Sequence, residues 1–270
     1  MKRHIFAAVP NYTNTIQGDV SDGMLNAALE CHREGWDFTR VRLPGRIHHI
    51  ARNMLLGLFW HNEAYTHLHW WDDDVAVLSG NFVPFSKNDA PFVCAAYRHK
   101  RDEESYPGDM PEVGERKMRD GFDGRPLFNT LYWPIGFSQQ TRECVGRILE
   151  AVNPPWEITD DFPGVKIPAL FKREDGFIES STGKRRVFGE DYAYCREWID
   201  LGEDVWLDPT LTTGHAGVNV WWGCKGVQMQ REVEAYRRDI ALLEIAKTMG
   251  PSRRPAVQIA RTMDEAVNQK

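Results

Sequence analysis

Two hydrophobic periods alternate along the first hundred residues, and that alternation limits the fold more than any other feature of the chain. "HIFAAVPNY" is a short apolar run closed by Pro10, the pattern of a buried strand. "SDGMLNAALECHREG" then sets Met24, Leu25, Ala28 and Leu29 at helical spacing behind Ser and Asp in the capping region. "WDFTRVRLPG" alternates as a second strand and breaks at Pro44-Gly45. "RIHHIARNMLLGLFWHNEA" puts Ile47, Ile50, Ala51, Met54, Leu55, Leu58 and Phe59 on one face of an amphipathic helix. "THLHWW" and "PFVCAAY" are two further strands. Strand and helix in this order predict an α/β fold with a mixed, mostly parallel sheet and helices on both faces. Such sheets bind ligands beyond the carboxyl ends of their strands.

The rest is less regular. "RDEESYPGDMPEVGERKMRDGFDGRP" is polar and rich in Gly and Pro, as a long loop or lid is. "LFNTLYWPIGFS" resembles one strand with a Pro-Ile-Gly break, and "QQTRECVGRILEAV" is a helix. "NPPWEITDDFPG" and "KREDGFIESSTGKRR" have loop composition. A helix opens at "GEDYAYCREWIDLG", a strand follows at "DVWLDP", and "REVEAYRRDIALLEIAKTM" is a long C-terminal helix. The expected organisation is a domain over 1–225, with halves 1–100 and 101–225, and a helical extension over 226–270.

Bulk properties exclude several classes. No stretch holds the roughly 18 apolar residues of a membrane span, and "MKRHIFAAVP" has too short an apolar run for a secretory signal. Cys31, Cys94, Cys144, Cys195 and Cys224 are odd in number and show no CxxC pairing. A disulfide framework or zinc site is therefore not expected, and a reducing, cytoplasmic compartment is. The net charge of −6 does not advertise nucleic-acid binding. It is uneven, however: nine Lys/Arg against six Asp/Glu from Lys225 to Lys270 leave −9 on the remainder. The runs Arg98–Arg101 and Lys184–Arg186 are basic, as solvated surface commonly is. Ten tryptophans suit either an aromatic core or contacts with sugar or nucleotide.

The most telling local feature is "THLHWWDDDVAVL". An aromatic strand runs into Asp72, Asp73 and Asp74 and then turns apolar again. Adjacent carboxylates repel, and burying one unpaired costs several kcal/mol. A hard divalent cation would offset that cost while leaving positions open for phosphate oxygens. A solvated turn or helix cap would account for one aspartate, but for three in a row less readily.

This segment resembles the DXD motif of GT-A-type glycosyltransferases. "FGEDYAYCREW" resembles the later helix start that carries that family's acid, and "DPTLTTGHAG" its strand-plus-histidine ending. Order and spacing agree over about Met1 to Gly223. The resemblance implies a GT-A-like, Rossmann-type domain and transfer of a sugar from a nucleoside-diphosphate sugar, most often a UDP-sugar, to an acceptor hydroxyl. It implies Asp74 as metal ligand and Asp72 as a contact to ribose or, through water, to the metal. Asp73 is the less defined middle position. Pro10, Asn11 and Tyr12 match the first-strand loop that holds the base. Arg46, Arg52 and Asn53 match a helix region that touches the nucleotide; a plain polar helix face is the alternative for the last two. His215 matches the C-terminal metal ligand, and a histidine ligand tilts the cofactor from Mg²⁺ toward Mn²⁺.

Glu190 and Asp191 open a helix, where backbone N–H groups stabilise acidic side chains. Such a place is expected to keep a carboxylate ionised and able to accept the acceptor's proton. Asp191 is the expected base, and Glu190 the acceptor- or sugar-binding group. Inversion is the expected outcome, with a front-face, retaining route left open. The acceptor is open too: a glycan, or a hydroxymethylated base in viral DNA that Lys184–Arg186 would flank. Two rivals remain, a nucleotidyltransferase and a non-catalytic nucleotide- or sugar-binding module. The first would more often show a glycine-rich phosphate loop, which the chain lacks. The second has no need of a metal cluster plus a separate acid.

Overall fold

The computed structural model describes residues 2–172, 177–179, 185–187, 189–217 and 219–248. The chain divides into two compact units, Met1–Gly226 and Val227–Lys270. In chain order the elements are β1 (His4–Asn11), α1 (Gly18–Arg33), β2 (Asp37–Pro44), α2 (His48–His61), β3 (His67–Trp71), β4 (Val75–Val77), α3 (Phe82–Ser86) and β5 (Phe92–Ala95). Next come β6 (Met118–Asp120), β7 (Pro126–Asn129), β8 (Phe137–Thr141), α4 (Arg142–Val152), β9 (Trp156–Ile158) and β10 (Lys166–Pro168). The last are β11 (Phe177–Glu179), β12 (Arg185–Val187), α5 (Glu190–Asp200), β13 (Trp206–Asp208), β14 (Thr213–Ala216), β15 (Val220–Gly223) and α6 (Lys225–Thr248).

The central sheet has eight strands in the order β2-β1-β3-β8-β5-β13-β7-β6. β2, β1 and β3 pair in parallel, as do β5 and β13, while β8 and β7 oppose their neighbours. Six of the eight strands thus point one way, and the mostly parallel α/β expectation holds. The step from β1 to β2 moves outward and the step from β2 to β3 moves back across β1. Right-handed crossovers therefore place α1 and α2 on opposite faces. β4 leaves this sheet and pairs with β14 in a smaller one, β15-β14-β4. No described helix is long and apolar enough to cross a membrane.

The core answers the tryptophan question in part. Trp70, Trp71, Trp133 and Trp198 are fully buried, each contributing about 1.5–3 kcal/mol or more through apolar burial. Trp71 stacks on Phe82 and meets Phe137 edge-on.

Several expectations need correction. In α1 the buried face is Val20, Gly23, Met24, Ala27 and Cys31, whereas Leu25 and Leu29 are 60% and 44% exposed. Gly23 decides this: a Cβ there would lie 3.0 Å from the Val77 carbonyl oxygen, so the helix approaches β4 along its glycine. In α2, Ile47 and Ile50 are exposed, and Arg52 and Leu56 are buried with Met54, Leu55 and Phe59. β9, which falls in the segment "NPPWEITDDFPG" read from composition as loop, pairs with β10 in a hairpin that packs on α2. Ile167 and Lys166 of that hairpin close on Gly57, the only residue type that admits them. "LFNTLYWPIGFS" is not one strand but two, β7 and β8, separated in the sheet by β5 and β13. Of the expected loop 172–186, residues 177–179 and 185–187 form an antiparallel pair; Lys184 lies outside the described residues.

Candidate active site

The carboxyl ends of β1, β2, β3, β5 and β13 share one edge of the sheet, and the three aspartates leave β3 there. A tight turn carries the chain on to β4, with the Val75 N–H donating to the Asp72 carbonyl at 3.2 Å. The turn sends the three carboxylates to three different partners, which is how the chain tolerates the cluster. Asp72 accepts from Arg52 Nη2 at 2.9 Å. Asp73 accepts from Asn11 Nδ2, and Asn11 itself is fully buried. Asp74 Oδ2 takes Lys100 Nζ at 2.6 Å and faces His215 Nε2 at 3.3 Å.

These surroundings move the carboxyls in opposite directions, Asp74 down and Asp72 and Asp73 up. Burial works against ionised Asp74, but His215 and Lys100 outweigh it and hold the carboxyl at about 2. Burial raises Asp73, helped by Asp74 and Asp72 and opposed by Asn11. Burial also raises Asp72, with Arg52 opposing and Asp74 adding to the rise.

Arg52 joins the cluster to the helix start. Its guanidinium is buried, 5.4 Å from the Trp70 ring centre, and its Nε lies 3.5 Å from Glu190 Oε1. Burial disfavours its charge, yet Asp72, Glu190 and Asp191 together hold its pKa above the ordinary value. Among the described residues its Nη1 has no hydrogen-bond partner. Asp191 sits beside it at the N-terminus of α5, its Oδ1 accepting its neighbour Tyr192's N–H at 2.8 Å. The helix start alone predicts a low pKa for Asp191. Burial reverses that, and with Glu190 and Asp72 adding to it against Arg52 and the Tyr192 N–H, the carboxyl rises to about 6. A carboxylate poised near neutrality suits a general base better than one held fully ionised.

Three contributors were not visible as such in the sequence. Tyr97 is buried among the acidic groups, its ring 5.1 Å from that of His215. Burial raises its hydroxyl well above the ordinary value, and Asp72, Asp191 and Asp74 add to the rise. Gly136 opposes Asp72 across the sheet and accepts its N–H at 2.7 Å. A Cβ at Gly136 would collide with Asp72 Oδ2 and lie 2.6 Å from the Tyr97 hydroxyl. The Pro-Ile-Gly break in "YWPIG" was a visible signal of a special backbone position, though not of this contact. Lys100 sat in a basic run indistinguishable from solvated surface.

The other expected residues divide. Pro10 and Asn11 end β1 at this edge. Tyr12 is 61% exposed, with its ring edge-on to His48 at 6.4 Å, and His48 is close enough to act on Asp72 and Asp73. Arg46 instead pairs with Asp161 at 2.8 Å. Asn53 uses its carbonyl and amide on the backbone of Phe171, at 2.7 and 2.8 Å, and so ties α2 to the segment after β10. A cleft of about 690 Å³ lined by Trp60, Arg142, Arg147 and Trp156 shares no residue with this cluster. Arg142 there donates to the carbonyls of Phe59, Trp60, Asn62 and Tyr65, which caps the end of α2.

The donor set bears on a metal. His215 Nδ1 lies 2.8 Å from the Arg98 carbonyl oxygen, an acceptor only, so Nδ1 carries the proton. Nε2, the other ring nitrogen, faces Asp74 Oδ2 at 3.3 Å, so an imidazole anchored by a backbone carbonyl stands beside a carboxylate, as in metal-ligating histidines. Among the described residues no third His, Cys, Asp or Glu joins the pair, and Asp72 is committed to Arg52. One carboxylate and one imidazole fit a divalent ion that draws its remaining ligands from phosphate oxygens and water.

No family model and no curated protein sequence matches the chain. Among solved structures it is similar to A197 from STIV, at 16% identity over 80% of this chain and 86% of that one, with a TM-score of 0.45. A glycosyltransferase involved in glycosylation of the PBCV-1 major capsid matches at 14% identity over 53% and 62%, with a TM-score of 0.29. A putative glucose-1-phosphate thymidylyltransferase from Bacillus anthracis, in complex with a sucrose, matches at 12% identity over 86% and 94%, with a TM-score of 0.39. Likenesses at these scores carry no argument about activity.

Proposed function

We propose that the chain is a glycosyltransferase that moves a sugar from a nucleoside-diphosphate sugar, a UDP-sugar first among them, to an acceptor hydroxyl with inversion, using Mn²⁺ or Mg²⁺. The observation that carries this reading is the pairing of two unlike acidic centres through one buried arginine. On one side Asp74, at about 2, stands as an anion beside the His215 ring. On the other Asp191, at about 6, stands beside Glu190. Arg52 bridges them by way of Asp72 and Glu190. A carboxyl poised near neutrality in such a place is what proton transfer to or from a hydroxyl uses.

In this reading Asp74 and His215 would hold the metal, which would supply positive charge against that developing on the leaving nucleoside diphosphate. Tyr12 and His48 flank the nucleotide's base, and Asn11 holds Asp73 within the donor-binding set. Asp191 accepts the acceptor's hydroxyl proton as that oxygen bonds to the anomeric carbon and the bond to the diphosphate breaks. Glu190 holds the acceptor or donor sugar, and Arg52 keeps Asp72 and Glu190 from repelling it. The domain division at residue 100 follows the same reading, with donor contacts before it and the acid after. The acceptor class stays between a glycan and a hydroxymethylated nucleic-acid base.

The test is product analysis with a panel of nucleotide sugars and both acceptor classes, with Mn²⁺ or with chelator. Metal-dependent transfer with an inverted anomeric centre by NMR is expected. Release of pyrophosphate from a nucleoside triphosphate and a sugar phosphate would make the chain a nucleotidyltransferase instead. Absence of both nucleoside-diphosphate binding and transfer would remove the reading.

A further inference from the structure

The Lys100 ammonium occupies the place where a cation at Asp74 would act. It lies 2.6 Å from Asp74 Oδ2, the same oxygen that His215 Nε2 faces at 3.3 Å. The loop bearing it is well anchored. Arg98 donates to the carbonyls of Trp222, Arg101 and Asp102 at 3.2, 2.9 and 2.8 Å. The His99 N–H reaches the Ser105 carbonyl at 2.8 Å, and Arg101 Nε reaches Ser105 Oγ at 2.7 Å. Arg98 also offers the carbonyl that fixes His215, so one short segment orients the imidazole and delivers the ammonium. The Lys100 stem passes Gly217, where a Cβ would lie 3.4 Å from its Cδ.

Resting on the reading above, we infer that Lys100 is an internal counter-ion for Asp74 that a divalent metal must displace, and that it then pairs with the donor's diphosphate. The reason is electrostatic. A divalent ion binds a carboxylate oxygen at roughly 2.0–2.2 Å, and an ammonium already on that oxygen would stand within a few ångströms of it. Like charges so close repel strongly even at a high effective dielectric constant. Lysine's flexible stem and three donors let it move without breaking the loop. The incoming diphosphate brings the negative charge that receives it. Metal and nucleotide therefore bind with positive coupling, and the metal site of the donor-free protein is held closed.

The consequence separates Lys100 from an ordinary surface ion pair, because its removal changes two affinities in opposite directions. Lys100→Met in the full chain is titrated with Mn²⁺ alone by electron paramagnetic resonance and with UDP by calorimetry, with and without Mn²⁺. The variant is expected to bind Mn²⁺ alone roughly five- to tenfold tighter, the scale of one lost ion pair plus relieved repulsion. Its affinity for UDP in chelator is expected to fall by a similar factor. Lys100→Arg should restore wild-type values for both, and Asp74→Asn should abolish the Mn²⁺ response in either background. Unchanged or weaker Mn²⁺ binding in Lys100→Met overturns the exchange. So does wild-type UDP binding that is indifferent to Mn²⁺ but lost in Lys100→Met, which would make Lys100 a permanent replacement for the metal. Tighter Mn²⁺ binding in the variant, with a wild type that releases pyrophosphate from a nucleoside triphosphate and transfers no sugar, would keep the exchange and remove the glycosyltransferase reading. Transfer with no effect of Lys100→Met would do the reverse.

Discussion

Asp191→Asn should make the protein more stable at neutral pH while removing its catalytic base. The structure supplies both the sign and the size. Asp191 has a folded-state pKa of about 6, raised from 3.8 chiefly by burial. A carboxyl raised on folding binds its proton more tightly in the native state, so its ionisation costs stability above the unfolded value. With a shift of about two units and about 1.4 kcal/mol per unit, that cost reaches about 3 kcal/mol well above pH 6. Near pH 4.5 the same linkage leaves about 1 kcal/mol, because the native carboxyl is by then protonated and only the modest cost of protonating a group still largely ionised in the unfolded chain remains. Asparagine keeps the Oδ1 that accepts the Tyr192 N–H but carries no charge to desolvate. The assay is urea denaturation of wild type and variant at about pH 7.5 and about pH 4.5, read as the change in midpoint at constant m. A gain of up to about 3 kcal/mol at the higher pH that shrinks at the lower is expected. In the same preparations kcat should fall by roughly two or more decades, with nucleoside-diphosphate affinity little changed. A variant no more stable than wild type near pH 7.5, or a gain that does not depend on pH, would refute the desolvated, near-neutral Asp191. Near wild-type turnover would reduce "GED" to a helix start.

Mn²⁺ in the presence of UDP should raise the melting temperature, and Asp74→Asn and His215→Ala should each weaken that rise; a full response in either would take that residue out of the metal site. Gly136→Ala should cost about 1–3 kcal/mol by driving a methyl into Asp72 and Tyr97, read by denaturation, and a neutral substitution would show that the Asp72 turn is not held there. His69 is buried and His67 half-buried, and both are held neutral, His69 lowered to about 3 by burial and His67 to about 3 by burial and then Arg3. Since the unfolded chain takes up those protons first, stability should be full above about pH 6.5 and decline between there and about pH 3, by at most about 1.4 kcal/mol per unit for each. His69→Phe should flatten that decline, because both His69 ring nitrogens lack partners in an aromatic surround; an unchanged pH profile would argue against it. If the acceptor is DNA, binding should weaken with salt at a log–log slope of about −0.9 per phosphate contacted, and flat dependence would favour a glycan.

Short-range pattern carried the framework of this protein. The order β1-α1-β2-α2-β3, the helix at Glu190, the strand before His215 and the position of the aspartates at a strand end were all legible, because each depends on periodicity or turn chemistry within about twenty residues. The faces of the helices were less so. Leu25 and Leu29 share the helical spacing of Met24, and only the approach of β4 to Gly23 decided which side of α1 was buried. The same holds for the hairpin that covers α2, since three-residue strands such as Trp156–Ile158 are too short to show a period.

The candidate site followed the same division. Residue types and their chain order named Asp72, Asp73, Asp74, Asp191 and His215 as a set, since acidic clusters and a histidine between glycines stand out in any window. What each carboxylate does was decided by partners far along the chain: Arg52 for Asp72, Asn11 for Asp73, Lys100 and His215 for Asp74. Identical side chains one residue apart are thus shifted in opposite directions, and Asp191 moves toward neutrality against the tendency of its own helix. Sequence determines which groups exist and which local conformations they favour. Burial and the sign of the nearest charge exist only once the chain has closed on itself, and those two quantities set how each acid behaves.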